Sequence, residues 1–81
     1  MPRSEKVQKV VRELIEESEL PHTLIARDTN LSRAAIVAWV SGTRTPQPES
    51  IAQLADGLEK RANRLQYIAF RLRSLLEEGS E

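Results

Sequence analysis

Residues 20–42 read Leu20-Pro21-His22-Thr23-Leu24-Ile25-Ala26-Arg27-Asp28-Thr29-Asn30-Leu31-Ser32-Arg33-Ala34-Ala35-Ile36-Val37-Ala38-Trp39-Val40-Ser41-Gly42. The residue before a proline avoids the helical region, so Leu20 ends whatever helix precedes it. Pro21 suits the first turn of a new helix, where a missing N–H costs nothing. Leu24, Ile25 and Asp28 carry that helix for about two turns, and Asn30 closes it in the left-handed conformation. Ser32 caps the next helix, Arg33 to Val40, and Gly42 stops it. Ala26 is small enough for two helices to cross closely, and Leu31 plugs the turn between them. Ile36, Trp39 and Val40 recur at core spacing and anchor the third helix from behind, which turns its opposite face outward.

Working outward toward the N-terminus, Ser4 is a candidate cap. Val7, Val10, Val11, Leu14 and Ile15 follow at spacings of three and four, which predicts a helix with one buried face over about residues 5–18. In the other direction, Gly42 to Pro48 holds two prolines, two threonines and a glycine and is a loop. Pro48 opens a fourth helix with Ile51, Leu54, Ala55 and Leu58 on one face. Gly57 and Arg61 interrupt that face, which predicts a break near residues 57–62 and a separate fifth helix over about 60–78. In that last segment Leu65, Ile68, Leu72, Leu75 and Leu76, with Ala69, share a stripe, while Tyr67 and Phe70 point away from it. A helix apolar on two sides needs two partners. No strand pattern, internal repeat or low-complexity tract is visible. The expected architecture is therefore all-α with five helices.

The composition narrows the chemistry. The chain is 81 residues long, with 40% apolar and 30% charged residues, which fits one small, soluble, helix-rich domain. A domain this small buries only about 60% of its unfolded surface, so a second subunit would add materially to its stability. Cysteine is absent and His22 is the single histidine. Disulfides and thiolate metal sites are thereby excluded, and no metal or cofactor is expected. No apolar run approaches the roughly 20 residues of a membrane span, and the first twenty residues lack a signal-peptide core, so the expected location is cytoplasmic. Arg3, Lys6, Lys9 and Arg12 crowd the start of the chain, and Lys60, Arg61, Arg64, Arg71 and Arg73 the last third. Glu13, Glu16, Glu17 and Glu19 gather at the end of the first helix. The formal net charge is zero, whereas binding to phosphates is usually accompanied by a basic excess.

The central run resembles the Cro and phage-repressor helix-turn-helix family. In that family Leu-Ser-Gln-x-x-Leu-Ala precedes a Gly-Val-Ser turn, then Ile, Trp or Leu, Gly and Pro at the spacings of Ile36, Trp39, Gly42 and Pro46. The resemblance extends to about Leu58. It implies a lambda-repressor-like domain over residues 1–58, with the helix-turn-helix at helices two and three. Residues 59–81 are then a dimerisation helix with a short disordered tail. Two departures stand out. His22 occupies the place of the phosphate-holding Gln, and the frequent Arg–Glu pair between helices one and three is replaced by Ile15 and Val40. Exchanging both ends of a buried ion pair for aliphatic residues is often neutral or stabilising, whereas losing one end strands a charge. Ile15 and Val40 are therefore expected to meet.

The resemblance further implies that Arg33, Ala34, Val37 and Ala38 face base edges in the major groove of double-stranded DNA. Among them only Arg33 has the fork geometry for guanine, a contact worth about 1–3 kcal/mol of discrimination. Phosphate contacts would come from His22, Thr23, Ser32, Ser41, Thr43 and Arg44. One such helix reads few bases, and repressors of this kind place two of them about 34 Å apart. A homodimer is expected, held by the last helix: the stripe Leu65, Ile68, Leu72, Leu75 and Leu76 and the aromatic pair Tyr67 and Phe70 divide packing on helix one and the dimer interface between them, in an order the residues leave open. The implied activity is transcriptional repression. An enzyme is not expected, because no nucleophile stands beside the histidine in a recognised arrangement and no phosphate loop exists. The rival class is a protein-interaction module, for which the neutral charge and the small apolar residues of helix three argue.

Overall fold

Among its described residues the computed structural model has four helices: α1 (Pro2–Ser18), α2 (His22–Thr29), α3 (Arg33–Ser41) and α4 (Pro48–Gly79). The structure describes the backbone of residues 2–79 and the side chains of residues 5–78. All regular structure among the described residues is helical. The helix ends follow local chemistry. α1 begins at Pro2, so Ser4 falls inside its first turn instead of before it. The helix ends at Ser18, as the spacing predicts, and Glu19 takes φ 58°. There the Ser18 hydroxyl donates to the Ile15 carbonyl and accepts the Leu20 N–H. Pro21 precedes α2 and its carbonyl accepts from Leu24 and Ile25. Asn30 closes α2 at φ 59°, and Gly42 closes α3 at φ 85°.

The core is built from Val11, Ile15, Ile25, Ile36, Trp39 and Leu54. Ile36 is 0% exposed and Trp39 4%. Val40, Ala26 and Leu31 pack against this cluster, so Ile15 and Val40 belong to one apolar core.

The fifth helix is a correction. Residues 57–62 contain no break: α4 runs 32 residues without interruption. Gly57 is buried and serves close packing, not helix termination. A Cβ built there would lie 2.6 Å from Thr29 Cγ2 and 2.8 Å from the Asp28 carbonyl oxygen. Arg61 does not interrupt the helix either, because its guanidinium is paired with Asp28 across the α2–α4 contact. The boundary expected between residues 58 and 59 thus falls inside a continuous helix; of the short tail expected after about residue 78, Gly79 still belongs to α4 and the rest lies outside the described residues.

Beyond Arg61 the helix leaves the body of the protein. Residues 62–79 extend for about 27 Å at 1.5 Å per residue, and the molecule measures 62 × 21 × 20 Å. The radius of gyration, 16.6 Å, exceeds the roughly 12 Å of a compact chain of this length. This projecting arm carries Leu65 and Leu72, which are 54% and 59% exposed.

Replacing Gly57 with Ala should lower stability by about 1–3 kcal/mol, the usual cost of forcing a methyl group into a packed contact. On an exposed helix surface the same change would stabilise by up to about 1 kcal/mol. Urea unfolding of the two proteins distinguishes the cases, and an unchanged or raised midpoint would contradict the packing role.

Candidate nucleic-acid interface

α3 is pinned on one side only. Ile36 and Trp39 face the core while Arg33, Ala34 and Val37 are exposed, and Ala38 is half-buried. Its N-terminus is capped by Ser32, whose Oγ accepts from the Ala35 N–H at 3.0 Å. At its C-terminus the Ala38 carbonyl accepts from Thr43 and Arg44, which folds the following loop back over the helix end. The Gln8 amide donates to the Trp39 carbonyl at 2.7 Å and ties this end to α1.

The residues expected to hold phosphates surround α3 at both ends. His22, half-buried, and Thr23 open α2. Together with Leu20, Pro21 and Arg33 they line a shallow depression. The first residues of α2 and Arg33 therefore border one depression, a combination suited to an anionic oxygen. Ser41, Thr43 and Arg44 stand exposed at the other end of α3. The Ser41 hydroxyl donates to the Ala38 carbonyl at 3.2 Å and is also hydrogen-bonded to Thr43, so both hydroxyls are oriented locally. Leu65, Tyr67, Ile68, Phe70, Leu72, Leu75 and Leu76 are all exposed on α4, away from α3. The structure thus gathers the base-facing and phosphate-facing candidates on and around α3, and leaves the dimer candidates on the arm.

Sequence reasoning missed the parts that aim the helix pair. Gln53 donates through Nε2 to the Thr29 carbonyl at 3.0 Å and the Asn30 carbonyl at 3.2 Å. Arg61 Nη1 lies 2.6 Å from Asp28 Oδ2, with the side chains 24% and 10% exposed. Gln53, Gly57 and Arg61 recur every four residues, so one row of α4 grips the end of α2 and the turn that leads to α3. A polar and small-residue row in register beside an apolar face was the available signal. Gln8 gave a similar one, three residues before the buried Val11. Arg27, Lys60 and Arg64 collect beside the same ion pair in a second shallow depression.

Compared with known proteins, the chain matches no protein-family model, no curated protein and no solved structure. Among the described residues no helix is long and apolar enough to cross a membrane.

Substituting Ser32 with Ala should cost about 1 kcal/mol by removing the cap of α3. Ser32→Asp should retain the stability, since aspartate caps as well as serine. Thermal unfolding of the pair checks this, and equal losses in both variants would show that the hydroxyl does not act as a cap.

Proposed function

We propose that the protein is a DNA-binding transcriptional regulator of the repressor kind, which binds operator DNA as a homodimer with α3 in the major groove. The observation that carries the reading is α3 itself. It is a short helix fixed from behind by Ile36 and Trp39, with Arg33, Ala34 and Val37 turned to solvent. Anion-suited groups flank it at each end. A helix presented this way fits a groove about 12 Å wide. The resemblance of residues 20–46 to the Cro and phage-repressor family supports the same reading, and such a regulator would act in the cytoplasm.

Arg33 is the one outward side chain able to read guanine bidentately. Ala34 and Val37 offer contacts to thymine methyl groups. His22, Thr23 and Arg44 would fix the position of α3 on the duplex through phosphates. Specificity per half-site is then modest, and pairing two half-sites supplies the remainder. The exposed apolar pair Ala34 and Val37, with a net charge of zero, also favours a second reading in which α3 docks on another protein.

Selection from a random duplex pool, followed by fluorescence anisotropy at two salt concentrations, decides between them. With about four phosphates engaged per dimer, affinity should fall by about a hundredfold between 50 and 200 mM salt. Arg33→Ala should relax base preference at one position of each half-site, and Arg44→Ala should weaken all sequences alike. Failure to enrich any sequence, or salt-independent binding, would overturn the DNA reading in favour of protein docking.

A further inference from the structure

An apolar groove runs between α1 and the first half of α4. Val11, Leu14 and Ile15 form one wall, and Ile51, Ala55 and Leu58 the other. Leu14 is 58% exposed there. Small-molecule pockets need a few placed polar groups to orient a ligand. Ser18 is the single polar side chain in the lining, and its hydroxyl already makes both of its hydrogen bonds locally. What fits is an apolar helix edge.

The chain carries that edge. Ile51, Ala55 and Leu58 recur at steps of four and three, and the alternation continues through Ala62 into Leu65, Ala69, Leu72 and Leu76. The groove wall and the projecting arm are thus one seam in which large and small residues alternate from Ile51 to Leu72, with Leu76 following. Because α4 is unbroken and Arg61 is held by Asp28, the arm cannot fold back into its own groove. We propose that the arm of a second copy fills it, reciprocally, with the two α4 helices antiparallel. The proposal takes from the preceding section only the dimeric state and nothing about DNA.

In the register that fills the whole groove, Ala55 faces Leu72 of the partner subunit, Leu58 faces the partner's Ala69, and Ala62 faces the partner's Leu65. A small residue meets a large one in each of these layers, which lets the helices approach closely. Ile68 and Leu75 lie on the same side of α4 as Leu54, at whole-heptad spacing from it. In an antiparallel pair these sides turn the same way, so the partner's Ile68 and the partner's Leu75 come over Val10 and Leu14 of α1. Charge favours this direction too. The Ile51 end of the groove is bordered by Lys6, and Glu13 and Glu17 follow toward the other end of α1. The antiparallel arm brings the partner's Glu78 toward Lys6 and the partner's Arg71 toward Glu13 and Glu17. Sliding the pair outward by a heptad would uncover Ile51 and Leu14. Tyr67 and Phe70 stay on the outer face of the arm.

The chain has no cysteine, so single cysteines introduced on the arm report the register directly. With the two-fold axis between residues 63 and 64, the two copies of residue 62 are offset by about 5 Å along the helices and those of residue 69 by about 17 Å. Ala62→Cys should be joined efficiently by a short bismaleimide, and Ala69→Cys at least tenfold less. A dimer that crosslinks best through Ala69→Cys would mean that the arms meet tip to tip, and the groove proposal would fail while the dimer stood. A monomer in sedimentation velocity at micromolar protein would overturn both. Leu14→Glu, at a position exposed in the single chain, should keep its helical circular dichroism and weaken the dimer at least tenfold. An intact dimer in this variant would also refute groove filling.

Discussion

The close approach of Gly57 to Thr29 is the contact on which the rest of the architecture turns. A side chain at 57 would meet the backbone of α2 as well as the Thr29 methyl group. Without one, α4 lies directly against the end of α2, and its neighbours in the row can act. Gln53 reaches the carbonyls of Thr29 and Asn30, and Arg61 reaches Asp28. The Thr29 hydroxyl, buried in the same contact, satisfies itself on the Ile25 carbonyl at 2.7 Å. The turn between α2 and α3 is therefore held from α4, and the orientation of α3 follows from it.

Much of this was legible in the residues. Left-handed caps at Asn30 and Gly42, the Ser32 cap and the buried Ile36 and Trp39 all follow from local rules that tertiary structure had no reason to override. Gly57 shows why the remainder was not. Glycine within a helix costs about 1 kcal/mol relative to alanine, and from sequence alone that cost reads as a stop signal. Only the neighbouring backbone of α2 reveals that the cost is offset by a close helix crossing. Arg61 misled for the same reason, since a charge on an apolar stripe reads as a break until its counterion, 33 residues earlier, is seen beside it. The apolar stripe of Leu65 to Leu76 is visible in the spacing alone. Its surroundings, solvent instead of α1, depend on whether the helix bends.

Continuity of α4 links the two proposals. If the helix broke near residue 57, the last segment would close the groove of its own chain and the domain would be complete alone. Because it continues, each chain exposes both a groove and the seam that matches it, the condition under which an identical element is exchanged between subunits at low cost. In the antiparallel register, Leu54 of one chain lies at the level of residue 73 of the other. The two domain centres are then about 28 Å apart along the helix pair, the same order as the roughly 34 Å between successive major-groove faces of DNA. Both domains also lie on the same side of that pair, since the Leu54 sides of the two helices turn together.

This arrangement bears on the neutral charge of the chain. A net charge of zero need not mean a neutral surface where DNA would lie. In the proposed dimer the exposed Glu13 and Glu17 of α1 would lie beside the partner's Arg71. Arg33 and Arg44 stand exposed around α3, and Arg27, Lys60 and Arg64 lie beside the α2–α4 contact. Phosphate attraction is screened within about 10 Å at 0.1 M salt, so the charges near a contact govern it more than the total. Dimerisation through the groove would therefore consume acidic groups in the interface and leave the basic ones around α3 unopposed, which couples assembly of the dimer to its attraction for a polyanion.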